Sequence, residues 1–181
     1  MQNNILKNYY VYSLILFTAL FNIVLADGLP SLTHNLTAIK STTVAPNLRF
    51  QSLDHDIVDI KDLKGKVVIV NFWATWCPPC RREMGSLERL YQATKDNNVE
   101  VLAVNIGEDD ETVFSFLGTI DPSPTFKILF DTDGESMSNW NVKGLPTTYI
   151  VNPDGIISYS AVGGREFDHP VILQKIKNMI K

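Results

Sequence analysis

The stretch Val67-Val68-Ile69-Val70-Asn71-Phe72-Trp73-Ala74-Thr75-Trp76-Cys77-Pro78-Pro79-Cys80-Arg81-Arg82-Glu83 decides how this chain is read. Its first third is almost wholly apolar, as expected of a strand covered on both faces in a parallel sheet. It then carries the only two cysteines of the chain, separated by two prolines. A helical pattern follows. Met84, Leu87, Leu90 and Tyr91 recur at helical spacing, and Lys95-Asp96-Asn97-Asn98 closes a helix expected over 78–95. Gly85 inside it is expected to weaken or bend it locally. A strand ending in Cys-x-x-Cys at a helix start is the layout of a pair that shuttles between dithiol and disulfide.

Other uses of two close cysteines fit less well. A structural zinc site needs four ligands, and the chain offers two cysteines and three scattered histidines, His34, His55 and His169. Covalent haem attachment needs a histidine directly after the second cysteine, where Arg81 stands. A purely structural disulfide here closes a very small loop and gains little entropy. The redox reading has a mechanism. Cys77 faces unpaired N–H groups at the helix start, which favours its thiolate as nucleophile. Cys80, one turn in, resolves the mixed disulfide. Pro78 and Pro79 suit a first helical turn, where backbone donors are unpaired in any case.

Outward from this centre, strands alternate with helices. A short hairpin is expected from 48–53 and 57–60, turning at Asp54-His55-Asp56. Strands are expected at 67–72, 99–106, 127–130, 147–151 and 156–162, with the last two joined at Asn152-Pro153-Asp154-Gly155. Helices are expected at 108–117, with an acidic first turn, and from Asp168 or His169 onward with Pro170 in the first turn. A weaker helical turn is expected over 135–140. The sum is an α/β sandwich around one mixed sheet.

Length and composition agree with one compact domain: 181 residues, 45% hydrophobic and 20% charged, net charge −4. No Lys/Arg cluster points to nucleic acid. At the N-terminus, Lys7 precedes a largely apolar run, residues 9–25, and then Val24-Leu25-Ala26. This reads as an export signal cut after Ala26, with an uncut membrane anchor through 9–25 as the rival. In both readings the domain ends up outside the cytoplasm, periplasmic or anchored facing the periplasm. Residues 27–46 read as a polar spacer, and 47–181 as the folded domain.

Two motifs in the expected order, Val70 through Glu83 and Gly144-Leu145-Pro146-Thr147-Thr148-Tyr149-Ile150, with Pro153-Asp154-Gly155 after them, resemble the thioredoxin superfamily. Within it the chain resembles the exported TlpA/ResA-like thiol–disulfide oxidoreductases, over roughly residues 45–181. The resemblance implies a thioredoxin-like three-layer sandwich with an N-terminal β-hairpin. It implies Cys77 as attacking and Cys80 as resolving thiol, forming a redox-active Cys77–Cys80 disulfide with no other cofactor and no metal. Pro146 would be a cis-proline facing the dithiol. Leu145 would offer its backbone to an extended substrate segment, and Trp76 would form part of the docking surface. Thioredoxins carry a buried Asp where Asn71 stands, and Asn cannot take up a proton, so that proton-transfer role is lost. The branch instead has a Glu matching Glu83, which would trade a proton with Cys80. Gly85 replaces a proline frequent in the branch. The implied job is reduction of cysteine-containing partner proteins, as in cytochrome c or copper-site maturation, fed by a membrane electron donor. Oxidation or isomerisation of secreted proteins, and thiol-based metal carriage, are the alternatives. Peroxidase chemistry finds no separate cysteine.

Overall fold

The computed structural model describes residues 32–180. The expected leader, 1–26, and the rival anchor, 9–25, lie outside the described residues. Among the described residues no helix is long and apolar enough to cross a membrane.

Among the described residues there are eight strands, β1 (Thr37–Ala38), β2 (Arg49–Gln51), β3 (Ile57–Asp59), β4 (Val67–Trp73), β5 (Val99–Ile106), β6 (Lys127–Asp131), β7 (Thr147–Val151) and β8 (Ile157–Val162), and four α-helices, α1 (Pro78–Thr94), α2 (Asp110–Leu117), α3 (Glu135–Asn139) and α4 (Pro170–Lys177). Six strands form one mixed sheet in the order β1-β8-β7-β4-β5-β6. β4, β5 and β6 run parallel, whereas β7 is antiparallel to β4 and to β8.

β4 is buried along its whole length. Period-two alternation divides its side chains between two cores. Val67, Ile69 and Trp73 join the core under α1, α2 and α4, with Leu87, Leu90, Val113 and Ile172. Val68, Val70 and Phe72 join the opposite core, with Val58, Ile60, Trp140 and Val142. Asn71 shares the parity of Ile69 and Trp73 and so faces α1. This three-layer arrangement is the sandwich expected from the sequence.

The hairpin pairs Arg49 with Asp59 and Gln51 with Ile57, and His55 takes a left-handed φ of 66° in its turn. It is fastened to the free edge of the main sheet by Leu53 N–H, which donates to Ile128 O at 2.9 Å, and by a bridge from Ser52 to Leu129. Residues 60–63, expected to finish the hairpin and begin a connector, wind instead into a 3₁₀ turn capped by Asp59. Trp140 packs between Phe72 and Tyr149, each 5.6 Å away ring to ring, and its Nε1 donates to Asn47 O at 3.3 Å.

Two expectations need correction. The described part of the polar spacer, 32–46, is not a loose arm. β1 pairs with β8, Val44 bridges Ile156, and Ala45 N–H donates to Gly155 O at 2.9 Å. A polar segment can serve as an edge strand because one of its faces stays in water. The helix expected from Glu108 starts at Asp110, with the Asp109 carboxylate accepting from Thr112 N–H at 2.7 Å. At Gly85 the helix α1 continues without a break. The loop at Asp121 and Pro122 lies against the helix there, and a Cβ at position 85 would make ordinary contacts with it, 3.7 Å from Pro122 Cδ and 3.8 Å from Asp121 O. The bond between Asp121 and Pro122 is cis, which the sequence reading did not foresee.

Candidate active site

Cys77 is the N-cap of α1 and is bonded to Cys80, with Cα atoms 5.3 Å apart. Its Sγ accepts from Cys80 N–H at 3.4 Å. Pro78 and Pro79 occupy the first turn and carry no N–H, and Arg81 N–H donates to Cys77 O at 3.1 Å, so the donor of the helix start that meets Cys77 Sγ is Cys80 N–H. Both cysteines are buried, whereas Trp76 beside them is 67% exposed. Arg81 lies exposed with its guanidinium 5.1 Å from the Phe116 ring centroid.

The loop before Cys77 is braced from β5 and the turn after it. Glu108, expected as a first-turn acid of α2, turns toward this loop instead. Its Oε2 accepts from Thr75 N–H and from Asn105 Nδ2, each at 2.7 Å, and its Oε1 accepts from the Thr75 hydroxyl.

Glu83 follows Cys80 by one helical turn, so the two side chains are neighbours on α1. It is completely buried. Asn71 Nδ2 donates to Glu83 Oε1 at 2.8 Å and to Thr148 Oγ1 at 2.9 Å, and Arg165 N–H donates to Glu83 Oε2 at 2.9 Å. Burial pushes the Glu83 carboxyl up from 4.5 to about 8. The Asn71 amide, the Arg165 N–H and the Arg165 charge oppose that rise without cancelling it. Asn71 Oδ1 is buried without a hydrogen-bond partner among the described residues. A half-turn of the amide brings this oxygen to Glu83. Asn71 can therefore donate to the carboxylate and accept from the carboxylic acid. It takes up no proton itself, but it serves both states of the group that does.

The Leu145–Pro146 bond is cis, and Pro146 is buried. Thr147 pairs with Phe72, so Pro146 arrives at the end of the sheet from which β4 leads into Trp76 and Cys77. Leu145 packs against the core that contains both cysteines. Gly163 N–H donates to Pro146 O at 2.8 Å, joining the end of β8 to this corner. The six residues singled out from sequence, Trp76, Cys77, Cys80, Glu83, Leu145 and Pro146, thus lie around one end of the sheet.

Sequence reasoning missed two residues of the site. Thr148 sits mid-strand with nothing local to mark it, and Arg165 follows Gly163-Gly164, which reads only as a strand end. The histidines are less scattered than their spacing suggests, since His34 stacks on His169 with ring centroids 3.9 Å apart. Among the described residues, no group of three His, Cys, Asp or Glu side chains is placed to hold a metal ion.

A model of the AhpC/TSA family matches residues 42–160. The chain is 36% identical over 118 residues to the thiol-disulfide oxidoreductase ResA of Bacillus subtilis, covering 65% of each chain. It is 37% identical over 120 residues to the protein of the same name from Halalkalibacterium halodurans, covering 66% of this chain and 67% of that one. The alignments thus span only 63–65% of the length of the first curated relatives. Among solved structures, one described as a thiol:disulfide interchange protein DsbE from Chlorobium tepidum superposes with a TM-score of 0.71 at 26% identity, over 80% of this chain and all of that one. The family match runs from before the hairpin into β8 and takes in every strand of the sheet but the edge strand β1, and this chain belongs to the AhpC/TSA family, with a thioredoxin-like fold.

Proposed function

We propose that this chain is an exported thiol–disulfide oxidoreductase that reduces disulfides of partner proteins through Cys77 and Cys80. The observation that carries the reading is the buried Glu83, one turn from the cysteine pair, with its carboxyl raised to about 8. A carboxyl held that high lies near the range of a free thiol, about 8.5, and so suits proton exchange with a neighbouring thiol.

In the reducing direction the Cys77 thiolate attacks one sulfur of the partner's disulfide. The partner's other sulfur leaves as a thiolate, and a mixed disulfide forms. Cys80 gives its proton to ionised Glu83 and attacks Cys77 Sγ. This releases the partner's second thiolate and leaves the Cys77–Cys80 disulfide. Two electrons have passed to the partner, and a dithiol donor must restore the pair. A membrane electron donor facing the same compartment fits that need. Trp76 and the backbone around Leu145 and Pro146 form the docking edge. The sequence of residues 1–26 supports export, and the named relatives support the chemistry.

The test is Cys80→Ser in the full chain. Cys77 should then hold partners as mixed disulfides that a reductant releases; absence of such species sinks the reading. Equilibration with glutathione or dithiothreitol decides direction. A potential near about −270 mV fits a reductant, and one near about −120 mV makes the protein an oxidant instead.

A further inference from the structure

Arg165 joins three parts of the chain that are far apart in sequence. Its main-chain N–H holds Glu83 Oε2. Its Nε donates to Asn35 O at 2.7 Å, and its Nη1 donates to Gly163 O at 2.9 Å and to Gly164 O at 3.0 Å. Asn35 belongs to an arm, residues 32–39, laid against β8 and the loop after it. Thr33 bridges Arg165, Glu166 N–H donates to Thr33 O at 2.8 Å, β1 pairs with β8, and Ile39 N–H donates to Ser158 O at 2.9 Å.

At its first described residues the arm reaches the cysteine pair's own turn. A Cβ on Gly164 would lie 2.7 Å from Leu32 Cδ2 and 3.2 Å from Pro79 O. Glycine there lets arm, loop and Pro79 meet. His34 stacks on His169, the N-cap of α4. From below, the loop is held to α1 by Phe167 N–H, which donates to Ser86 Oγ at 3.0 Å. The loop that presents an amide to Glu83 is thus clasped between α1 and the arm, and Arg165 is the clasp.

We propose that Arg165 is a positioning residue for the cysteine pair, and that the arm it clamps, residues 32–39, is part of the active site. Docked, the arm holds the Arg165 amide on Glu83 and keeps water from the carboxyl. Released, it frees the loop, and Glu83 loses both. The groups that face Glu83 are Asn71 from β4, with Thr148 of β7 behind it, Arg165 from the loop after β8, and the cysteine pair on α1 itself. Arg165 is the one cation among them. The consequence for exchange chemistry rests on the function proposed above, but the coupling itself is measured without turnover.

The test uses the full chain and two variants. Arg165→Lys keeps the charge and removes the three-bond fork. The double variant Leu32→Gly/His34→Ala touches only the arm. Two quantities are read: hydrogen exchange at the Ile39 and Glu166 amides, and the titration midpoint of the Glu83 carboxyl followed by its ¹³C shift. Both variants should lose amide protection. In both, the midpoint should fall toward the ordinary carboxylate range, because burial is the largest cause holding it up. Retained protection in both variants overturns the clasp. Lost protection with an unmoved midpoint overturns the coupling. A midpoint that falls for Arg165→Lys alone makes Arg165 a local contact and overturns the arm's part. A wild-type chain without exchange activity would sink the oxidoreductase reading and leave these two readouts intact.

Discussion

A carboxyl that titrates near 8 alters both the chemistry and the stability of the fold at Glu83. In the unfolded chain the group returns to about its ordinary 4.5, so between the two values the folded state binds a proton that the unfolded state does not. Stability from this group is therefore fully present below pH 4.5 and is lost as pH rises to about 8. Glu83→Gln removes the titrating group, and Asn71 can turn its free oxygen to meet the new amide donor. Urea unfolding at pH 5 and pH 8 should show a fall in stability for the native sequence and a flatter profile for Glu83→Gln. An equal fall in both would mean that another group carries the dependence. The same substitution should slow the step that uses Cys80 and spare the first attack by Cys77. Trp76, 67% exposed beside Cys77, takes no part in the sulfur chemistry itself. Trp76→Ala should lower kcat/KM for a protein disulfide by about tenfold, the loss of about 1.4 kcal/mol of docking energy, and leave reaction with dithiothreitol unchanged.

The site depends on α1, which is held at both ends of its buried face. Its first turn sets the cysteine pair, and farther along Glu88, only 2% exposed, anchors the loop between α2 and β6. Glu88 Oε2 accepts from Thr125 N–H at 2.8 Å, and its Oε1 accepts from Thr125 Oγ1 and from Gln92 Nε2, each at 2.7 Å. Glu88→Ala removes the carboxylate that accepts these three bonds and should cost about 1–3 kcal/mol, read as a lower denaturant midpoint with an unchanged slope. The potential of the cysteine pair should not move, because the loss falls on the flank of α1 away from Cys77. A shifted potential would show that the loop is coupled to the first turn.

For the whole molecule, the cysteine pair ties redox state to folding. The difference in unfolding free energy between oxidised and reduced chains equals the gap between the potential of the folded pair and that of the same pair in the unfolded chain, at about 1.4 kcal/mol per 30 mV. Loop closure contributes little, since only two residues lie between the cysteines. What remains is how well each form fits the start of α1. For a reductant, the oxidised chain should unfold at the higher denaturant concentration and the reduced chain at the lower. The reverse order would mark an oxidant and would overturn the proposed direction without touching the proposed site.

Strand and helix periodicity determined the sandwich. All of β4 except its last residue (Trp73), the helix start at the cysteines, β5 and β7 were legible because each is marked locally by apolar runs, by Cys-x-x-Cys with its prolines, or by turn residues. So was the cysteine pair, since its spacing is local chemistry. The pairing of the polar segment 32–46 with the sheet, the turn of Glu108 toward Thr75 and the reach of Arg165 to Glu83 were not legible. Each is a contact between segments far apart in sequence, made by polar residues whose composition reads equally as loop. Helical spacing placed Glu83 beside Cys80. Only the folded chain sealed that carboxyl between Asn71 and the Arg165 amide, because burial is a property of everything packed around a group, and no local stretch of sequence carries it.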